Sequence, residues 1–295
     1  MSCDVAIVGS PFLDLVFEGL PAVPGPGEEH VARSFRMVPG GTGMQAIAAA
    51  RLGLETALVA PFGDDEAAAL LRRMLEAEGV RVTPSTGPGS GLPVTALLST
   101  PEGVAMASAL GGEEPTAADV AETEPAAVIA SLGRVDLAPP SSRLYAVTGA
   151  LELEHVAADL DRRLEGVHVL ILNRDEAGAL TGEDDAGRAA LKLSSPGRTA
   201  VVTLAAEGAV AARGEDTVRA RVPRVELVEA TGAGDVFAAA FLWAERRGLD
   251  LAESLAWGCL YASLSVAAPT TFDGAPSMSA FLEAAAAHGL TLSGG

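Results

Sequence analysis

Residues 231–237 of this 295-residue chain read Thr-Gly-Ala-Gly-Asp-Val-Phe and run directly into an apolar segment of helical length. Gly232, Ala233 and Gly234 carry at most a methyl group, so their backbone N–H groups can approach a ligand closely. The helix predicted for residues 235–247 adds the unpaired N–H donors and the partial positive charge of its N-terminus. The segment is therefore a candidate anion site.

Asp235 falls in the first turn of that predicted helix, beside the place where phosphate charge would gather. A carboxylate there can accept the proton of a substrate hydroxyl while the hydroxyl oxygen attacks phosphorus. Taken alone, an aspartate after glycine is more often a simple helix cap, because aspartate is a favoured capping residue. The segments on either side of it must decide between a base and a cap.

Short Val, Ile and Leu runs alternate with alanine-rich segments of helical length along the chain. The predicted strands are residues 5–8, 56–60, 144–147, 167–172 and 200–204. The predicted helices are residues 44–52, 65–78, 152–164, 175–180, 235–247 and 251–266. Continuous apolar strands between such helices indicate an α/β fold with a mainly parallel sheet that is covered on both faces.

Residues 11–38 and 92–110 interrupt this alternation. The first stretch ends in a strand-like run at 30–38, and the second carries two strand-like runs, 94–99 and 104–109, around a turn. The two stretches form either a small sheet that stands off the main domain as a lid, or a pair of ordinary edge hairpins. The pattern alone favours neither.

The amino-acid composition and the net charge limit the kinds of fold and of binding partner that this chain can have. Hydrophobic residues make up 49% and aromatic residues 4% of the chain, which favours a core of Ala, Val and Leu in one domain over residues 1–295. The net charge of −19 predicts a surface that repels nucleic acid and anionic membranes. A phosphate ligand would therefore need a local device that neutralises its charge.

The two cysteines indicate a reducing compartment. Cys3 and Cys259 are far apart and form no metal-binding pair, and the four histidines show no ligand spacing, so we assign no protein-bound metal site. The N-terminus lacks the basic region of a signal peptide, and no apolar run is long enough to span a membrane. We expect a cytoplasmic protein.

The order of the motifs resembles the ribokinase-like (PfkB) carbohydrate and nucleoside kinases from about Val5 to about Leu282. Residues 231–237 are similar to the C-terminal signature of that family, and residues 40–43 before a predicted helix are similar to its Gly-Gly signature. Residues 173–176 resemble its N-x-x-E motif. The resemblance implies a ribokinase-like three-layer α/β/α sandwich with a small β lid, and an ATP-dependent, Mg²⁺-requiring phosphotransferase.

The resemblance also assigns roles. Asp235 is implied as the catalytic base, and the anion hole for the transferring phosphoryl group comprises Gly232, Ala233 and Gly234. The implied nucleotide-binding residues are Asn173, Glu176, Thr203, Gly208 and Thr231. The implied acceptor-binding residues are Asp14, Gly40, Gly41 and Gln45. Taken singly, Asn173 with Glu176 is also a helix capping box and Gly40–Gly41 a turn.

Four departures from the family pattern bear on these roles. Met44 stands where the family usually has a substrate-binding asparagine, and Gln45 follows it as a replacement with a longer reach. Glu229 stands for an aspartate that belongs to a monovalent-cation site in potassium-activated members, which leaves dependence on K⁺ open. Ala205 stands for a glycine in the nucleotide turn. The stretch before Asn173 is also short, by about one strand or helix.

These departures leave three functions open. The first is a kinase for a sugar or sugar-like compound, and the second is a nucleoside kinase of the same family. The third is a catalytically silent protein that binds a sugar or a nucleotide. A phosphorylated acceptor is not expected, because residues 40–45 contain no Lys or Arg. A homodimer formed through the lid is a further expectation.

Overall fold

A computed structural model describes residues 2–84, 91–111, 114–149, 152–223 and 225–292. Its strands are β1 Cys3–Val8, β2 Pro11–Glu18, β3 Ser34–Gly41, β4 Thr56–Ala60, β5 Arg81–Pro84, β6 Val94–Thr100, β7 Gly103–Ala109, β8 Pro125–Ser131, β9 Arg143–Val147, β10 Val169–Asn173, β11 Thr199–Thr203, β12 Ala209–Arg213 and β13 Asp216–Ala220. Its α-helices are α1 Thr42–Arg51, α2 Glu66–Ala77, α3 Ala117–Ala121, α4 Leu153–Ala157, α5 Leu160–Arg163, α6 Arg174–Thr181, α7 Ala186–Leu193, α8 Ala233–Arg246, α9 Leu251–Ser265, α10 Thr271–Gly274 and α11 Met278–Ala287.

The central sheet has the strand order β13-β12-β11-β10-β9-β8-β1-β4-β5 within the described residues. Neighbouring strands from β11 to β5 run parallel, whereas β12 and β13 add an antiparallel ribbon at one edge. The carboxyl ends of the parallel strands meet at one edge of the sheet, where ligands bind in folds of this kind.

Helices cover both faces of this sheet. Val5 and Ile7 of β1 belong to a core cluster with α1, α2, α8, α9 and α11, whereas Ala6 and Val8 belong to a second cluster with α3, α4, α6 and α7. A strand that is buried on both faces reads as a continuous apolar run, which is why β1 could be predicted from the sequence. The predicted three-layer α/β/α sandwich is confirmed.

A second sheet has the order β3-β2-β6-β7 in the described part of the chain. Strands β2 and β6 pair in parallel and each has an antiparallel partner outside it. Val16, Val38 and Leu97 form a small core on one face of this sheet. The two interrupting stretches therefore form a common sheet, the lid, and the alternative of separate edge hairpins is wrong.

Several boundaries differ from the predicted ones. The helix predicted for residues 152–164 is two short helices, because the backbone leaves the helical conformation at Asp159 (φ −132°), which is the N-cap of α5. The Asp159 carboxylate pairs with Arg162 and Arg163. Helix α1 begins at Thr42, two residues before the predicted start, and Gly40 and Gly41 end strand β3 rather than forming a loop. Strands β2, β5, β8, β12 and β13 were not predicted.

The connection between β8 and β9 explains the short stretch before Asn173. It contains a 3₁₀-helix, Leu132–Leu137, where parallel strands are usually joined by an α-helix. None of the helices in the described ranges combines the length and the apolar composition needed to cross a membrane.

Candidate active site

A cleft lies between the lid and the N-terminal ends of helices α1 and α8. The predicted site residues in its wall are Asp14, Gly40, Gly41, Thr231, Gly232 and Asp235. The lid contributes Val16, Val38 and Leu97, and residues 269–272 close the opposite side. The fold thus brings the N-terminal and C-terminal signatures, some 190 residues apart in the chain, into one cavity.

The glycine-rich segment leads into helix α8 as predicted. Gly232 adopts a left-handed backbone conformation (φ 84°) at the N-cap, and α8 begins at Ala233. Among the described residues, the N–H of Ala233 donates to the Ala230 carbonyl at 3.2 Å, while those of Gly232 and Gly234 have no acceptor. Unpaired N–H groups at a helix N-terminus are the donors that bind phosphate.

Asp235 is the third residue of α8, and its carboxylate does not cap the helix. Its Oδ1 instead accepts a 2.8 Å hydrogen bond from Nε2 of Gln45. Burial raises the pKa of Asp235 to about 7; the Gln45 hydrogen bond lowers it, and charge repulsion from Asp14 and Glu176 adds to the rise. Because this carboxylate bonds Gln45 and makes no capping hydrogen bond, the interpretation as a simple cap is wrong. A carboxyl group with a pKa near neutrality suits a general base, and that role stays a prediction.

Asp14 projects from strand β2 into the same cleft. Burial raises its pKa to about 7, and no hydrogen bond from the described residues reaches its carboxylate. The side chain fits only because residue 40 is a glycine: a Cβ on Gly40 would lie 2.0 Å from Asp14 Oδ2. Asp14 therefore presents unpaired carboxylate oxygens that can accept hydrogen bonds from hydroxyl groups.

Glu229 and Thr271 hold the loop before Gly232. Glu229 Oε1 accepts hydrogen bonds from the N–H of Thr231 at 2.8 Å and from its hydroxyl at 2.7 Å. The hydroxyl of Thr271 donates to the Thr231 carbonyl. The glutamate that replaces the family's aspartate therefore shapes the loop through Thr231.

Three of the predicted nucleotide-binding residues, Asn173, Glu176 and Thr203, lie at or just after the ends of the neighbouring strands β10 and β11. Asn173 and Thr203 are register partners across the two strands. Asn173 and Glu176 form a reciprocal capping box at the start of α6, with hydrogen bonds of 2.9 Å in both directions. Burial also raises the pKa of Glu176. The structural interpretation of this pair is confirmed, and its role toward a nucleotide stays a prediction.

The turn after β11 keeps a glycine-like conformation despite its alanine. Ala205 has φ 50°, in the left-handed region that side chains disfavour. Gly208 closes the turn with φ 101°, and a Cβ there would lie 2.0 Å from the Ala220 carbonyl oxygen. Ala205 therefore holds a backbone conformation that a glycine adopts more readily, and Gly208 permits the close approach of strand β13.

Residues 270–273 tie the lid to the rest of the site. Arg36 of the lid pairs with Glu18 at 3.1 Å and reaches Asp273 at 3.0 Å. Arg51 at the end of α1 donates to the carbonyl of Phe272 at 2.7 Å. The sequence carried no motif that would identify this segment, because its contacts form only in the folded chain.

The structure places Gln45 differently from the prediction. Met44 lines the cleft and is 2% exposed, whereas Gln45 is 4% exposed and lies behind Asp235. The Gln45 amide, predicted to contact the acceptor, instead donates to the Asp235 carboxylate. The difference arises because α1 begins at Thr42 and turns residue 45 toward α8.

The family described as pfkB family carbohydrate kinase matches residues 4–120 and 147–278. The chain is 28% identical over 281 residues to the ribokinase of Bacillus subtilis (strain 168), a match that covers 89% of this chain and 92% of that protein.

Solved structures share the fold over nearly the whole chain. The ribokinase of Arabidopsis thaliana complexed with ribose and ATP superimposes with a TM-score of 0.77 at 22% identity, covering 96% of this chain and 99% of that one. The nucleoside kinase of Burkholderia thailandensis in complex with inosine gives a TM-score of 0.77 at 18% identity, covering 97% of each chain.

Proposed function

The chain belongs to the pfkB family of carbohydrate kinases and is a phosphotransferase with an alcohol group as acceptor. We propose that it transfers the γ-phosphate of ATP to a hydroxyl of a sugar or sugar-like small molecule. One observation carries the proposal: Asp235, with its pKa raised to about 7, lies in a lidded cleft beside the unpaired N–H groups of Gly232 and Gly234.

In this mechanism the carboxylate of Asp235 accepts the proton of the acceptor hydroxyl as its oxygen forms a bond to the γ-phosphorus. The bond from that phosphorus to the bridging oxygen breaks, and ADP leaves with the electron pair. The N–H groups of Gly232 and Gly234 stabilise the charge on the phosphoryl oxygens. Asp14 orients the acceptor by accepting hydrogen bonds from its other hydroxyl groups.

The nucleotide would bind along the ends of β10 and β11, where Asn173, Glu176 and Thr203 lie. Ribokinase of Arabidopsis thaliana, which shares this fold, was solved with ATP and ribose. Mg²⁺ suits the same place, because Glu176 uses Oε2 in the capping box and keeps Oε1 for an ion or its water. Bound there, the ion would neutralise charge on the phosphates.

The cleft wall indicates the acceptor class. Its charged residues in the described structure are the carboxylates Asp14, Glu229 and Asp235, and none of the lining residues is Lys or Arg. An uncharged acceptor with several hydroxyl groups fits this wall, and a phosphorylated one would be repelled. The apolar lining by Met44, Leu97 and other side chains also suits the flat face of a nucleobase, which keeps a nucleoside acceptor as the second candidate.

An acceptor screen tests this function. Purified protein with Mg²⁺ and ATP is assayed for ADP formation against free sugars, sugar alcohols, nucleosides and phosphorylated sugars. We expect stimulation by an uncharged acceptor and none by phosphorylated ones. If no acceptor stimulates ADP formation while a sugar still binds in a titration, the silent-binder alternative replaces the kinase.

We further propose a homodimer formed through the outer face of the lid. Phe17 and Phe35 pair across β2 and β3 with ring centroids 5.0 Å apart, on the face opposite Val16 and Val38. Phe35 is 50% and Met37 44% exposed, and burying such apolar surface favours association. Phe35→Asp should yield a monomer in analytical ultracentrifugation, while Val31→Asp, outside the strands, should not. A monomeric wild type would contradict the dimer.

A further inference from the structure

Gln45 is the only glutamine of the chain and is 4% exposed in helix α1. Its Nε2 donates to Asp235 Oδ1 at 2.8 Å, and its Oε1 is buried without a partner among the described residues. An unpaired buried carbonyl oxygen opposes folding. The amide is therefore placed at a cost to stability, with only the end that faces Asp235 satisfied.

This hydrogen bond joins two helices that meet at the site. Helix α1 packs against α8, and Gln45 bridges them where α8 begins. Fixing Oδ1 of Asp235 limits rotation of the carboxylate and leaves Oδ2 to face a ligand. A general base must lie within hydrogen-bond reach of the proton that it accepts, so its orientation directly affects turnover.

We infer that Gln45 is a positioning residue that orients the Asp235 carboxylate for proton transfer, rather than a residue that binds the acceptor. The inference rests on the proposed function, because it needs Asp235 to act as the base. It also explains how the loop can carry Met44 in place of an asparagine: the adjacent glutamine serves the base, and acceptor recognition falls to Asp14 and the backbone.

Because Asp235 is surrounded by negative charges, Gln45 also affects the pKa of Asp235. Asp14 on β2 and Glu176 on α6 repel its negative charge, and Glu229 lines the same cleft. In the described structure, the Gln45 amide is the side chain that stabilises the ionised form by a hydrogen bond. Without it the pKa of Asp235 would rise further, and the base would be protonated over more of the neutral range.

The unique glutamine permits a direct test on the wild-type protein. Selective ¹⁵N-glutamine labelling gives one side-chain NH₂ group, whose shifts can be followed by NMR from pH 5 to pH 9. We expect these shifts to titrate with a midpoint near that of Asp235, about 7, and to stop titrating in Asp235→Asn. An amide that does not respond to pH in the wild type would overturn the inference.

The kinetic test uses Gln45→Met, which keeps an unbranched side chain but no donor. We expect kcat at pH 7 to fall about 10–100-fold, as for a misplaced catalytic group, with acceptor KM within about threefold. The acid limb of the pH profile should move to higher pH. The matched control is Ser142→Ala, which removes a buried 2.7 Å hydrogen bond to the Pro125 carbonyl at the far end of β9 and should leave the profile unchanged.

The outcomes separate this inference from the proposed function. A Gln45→Met variant with the wild-type pH profile and kcat, or with raised KM alone, would overturn the positioning role. If Gln45→Met does not fold, the amide titration decides. An Asp235→Asn variant that keeps its turnover would instead contradict the proposed function, whereas the titration needs no substrate and would still report whether Gln45 senses Asp235.

Discussion

The carboxylate of Asp14 occupies the space that a side chain on Gly40 would fill, since a Cβ there would lie 2.0 Å from Asp14 Oδ2. The two residues are near neighbours across the antiparallel strands β2 and β3. Gly40, the first glycine of the Gly-Gly signature, is thus explained by the carboxylate that it accommodates.

Gly40→Ala should therefore displace Asp14 and weaken acceptor binding. We expect a loss of about tenfold or more in acceptor affinity, about 1.4 kcal/mol, with ATP affinity unchanged because the nucleotide residues lie at β10 and β11. Calorimetric titrations with acceptor and with ATP measure both. Gly197→Ala is the control, since a Cβ there meets nothing within 4 Å. Unchanged acceptor affinity in Gly40→Ala would show that Asp14 does not bind the acceptor.

Gly234→Val tests the anion site. Gly234 is exposed, and an added Cβ would meet no atom within 4 Å, so the variant should fold normally. The branched side chain would stand where a phosphoryl group must approach the unpaired N–H groups. We expect turnover below about 1% of wild type, with an unchanged circular dichroism spectrum. A folded variant with wild-type turnover would contradict the phosphate assignment.

The buried carboxyl group of Asp14 should make the free energy of unfolding depend on pH. Burial raises the pKa of Asp14 to about 7, far above that of an unfolded chain. Between about pH 4 and 7 the folded chain holds a proton that the unfolded chain has released, so the free energy of unfolding falls as pH rises. Measured by urea unfolding, the free energy of unfolding of Asp14→Asn should fall less between pH 5 and pH 8 than that of the wild type. The free energy of unfolding of an exposed control, Asp216→Asn, should fall as much as that of the wild type. Equal falls in Asp14→Asn and wild type would contradict this electrostatic account.

The sequence predicted most of the layered fold because its buried parallel strands are continuous apolar runs. Strand β8 escaped prediction, since Pro125–Ser131 contains three alanines in seven residues and reads equally well as helix. Strands β12 and β13 form an antiparallel ribbon at the sheet edge, where β13 is largely exposed and shows little apolar signal. Continuous apolar runs rich in Val, Ile and Leu were therefore the informative feature, since β8 is buried on both faces and was still not predicted.

The site was predictable where one short string carries the chemistry, as in Gly232 to Asp235. The role of a site residue was not predictable where it depends on the direction in which the side chain points. Gln45 was expected in the acceptor site, and a shift of two residues in the start of α1 places it behind Asp235. Ala205 could not be judged either, because only the structure shows that its backbone keeps φ 50°, at a cost of about 1–2 kcal/mol.

Turnover of Asp235→Asn tests the central claim most directly. Asparagine keeps the size of the side chain and can still accept the Gln45 hydrogen bond through its carbonyl oxygen. It cannot take up the acceptor proton. With the acceptor found by the screen, acceptor-dependent ADP formation should fall by about 10²–10⁴-fold, while ATP and acceptor affinities change little. Near-normal turnover in a correctly folded Asp235→Asn protein would contradict the assignment of Asp235 as the general base.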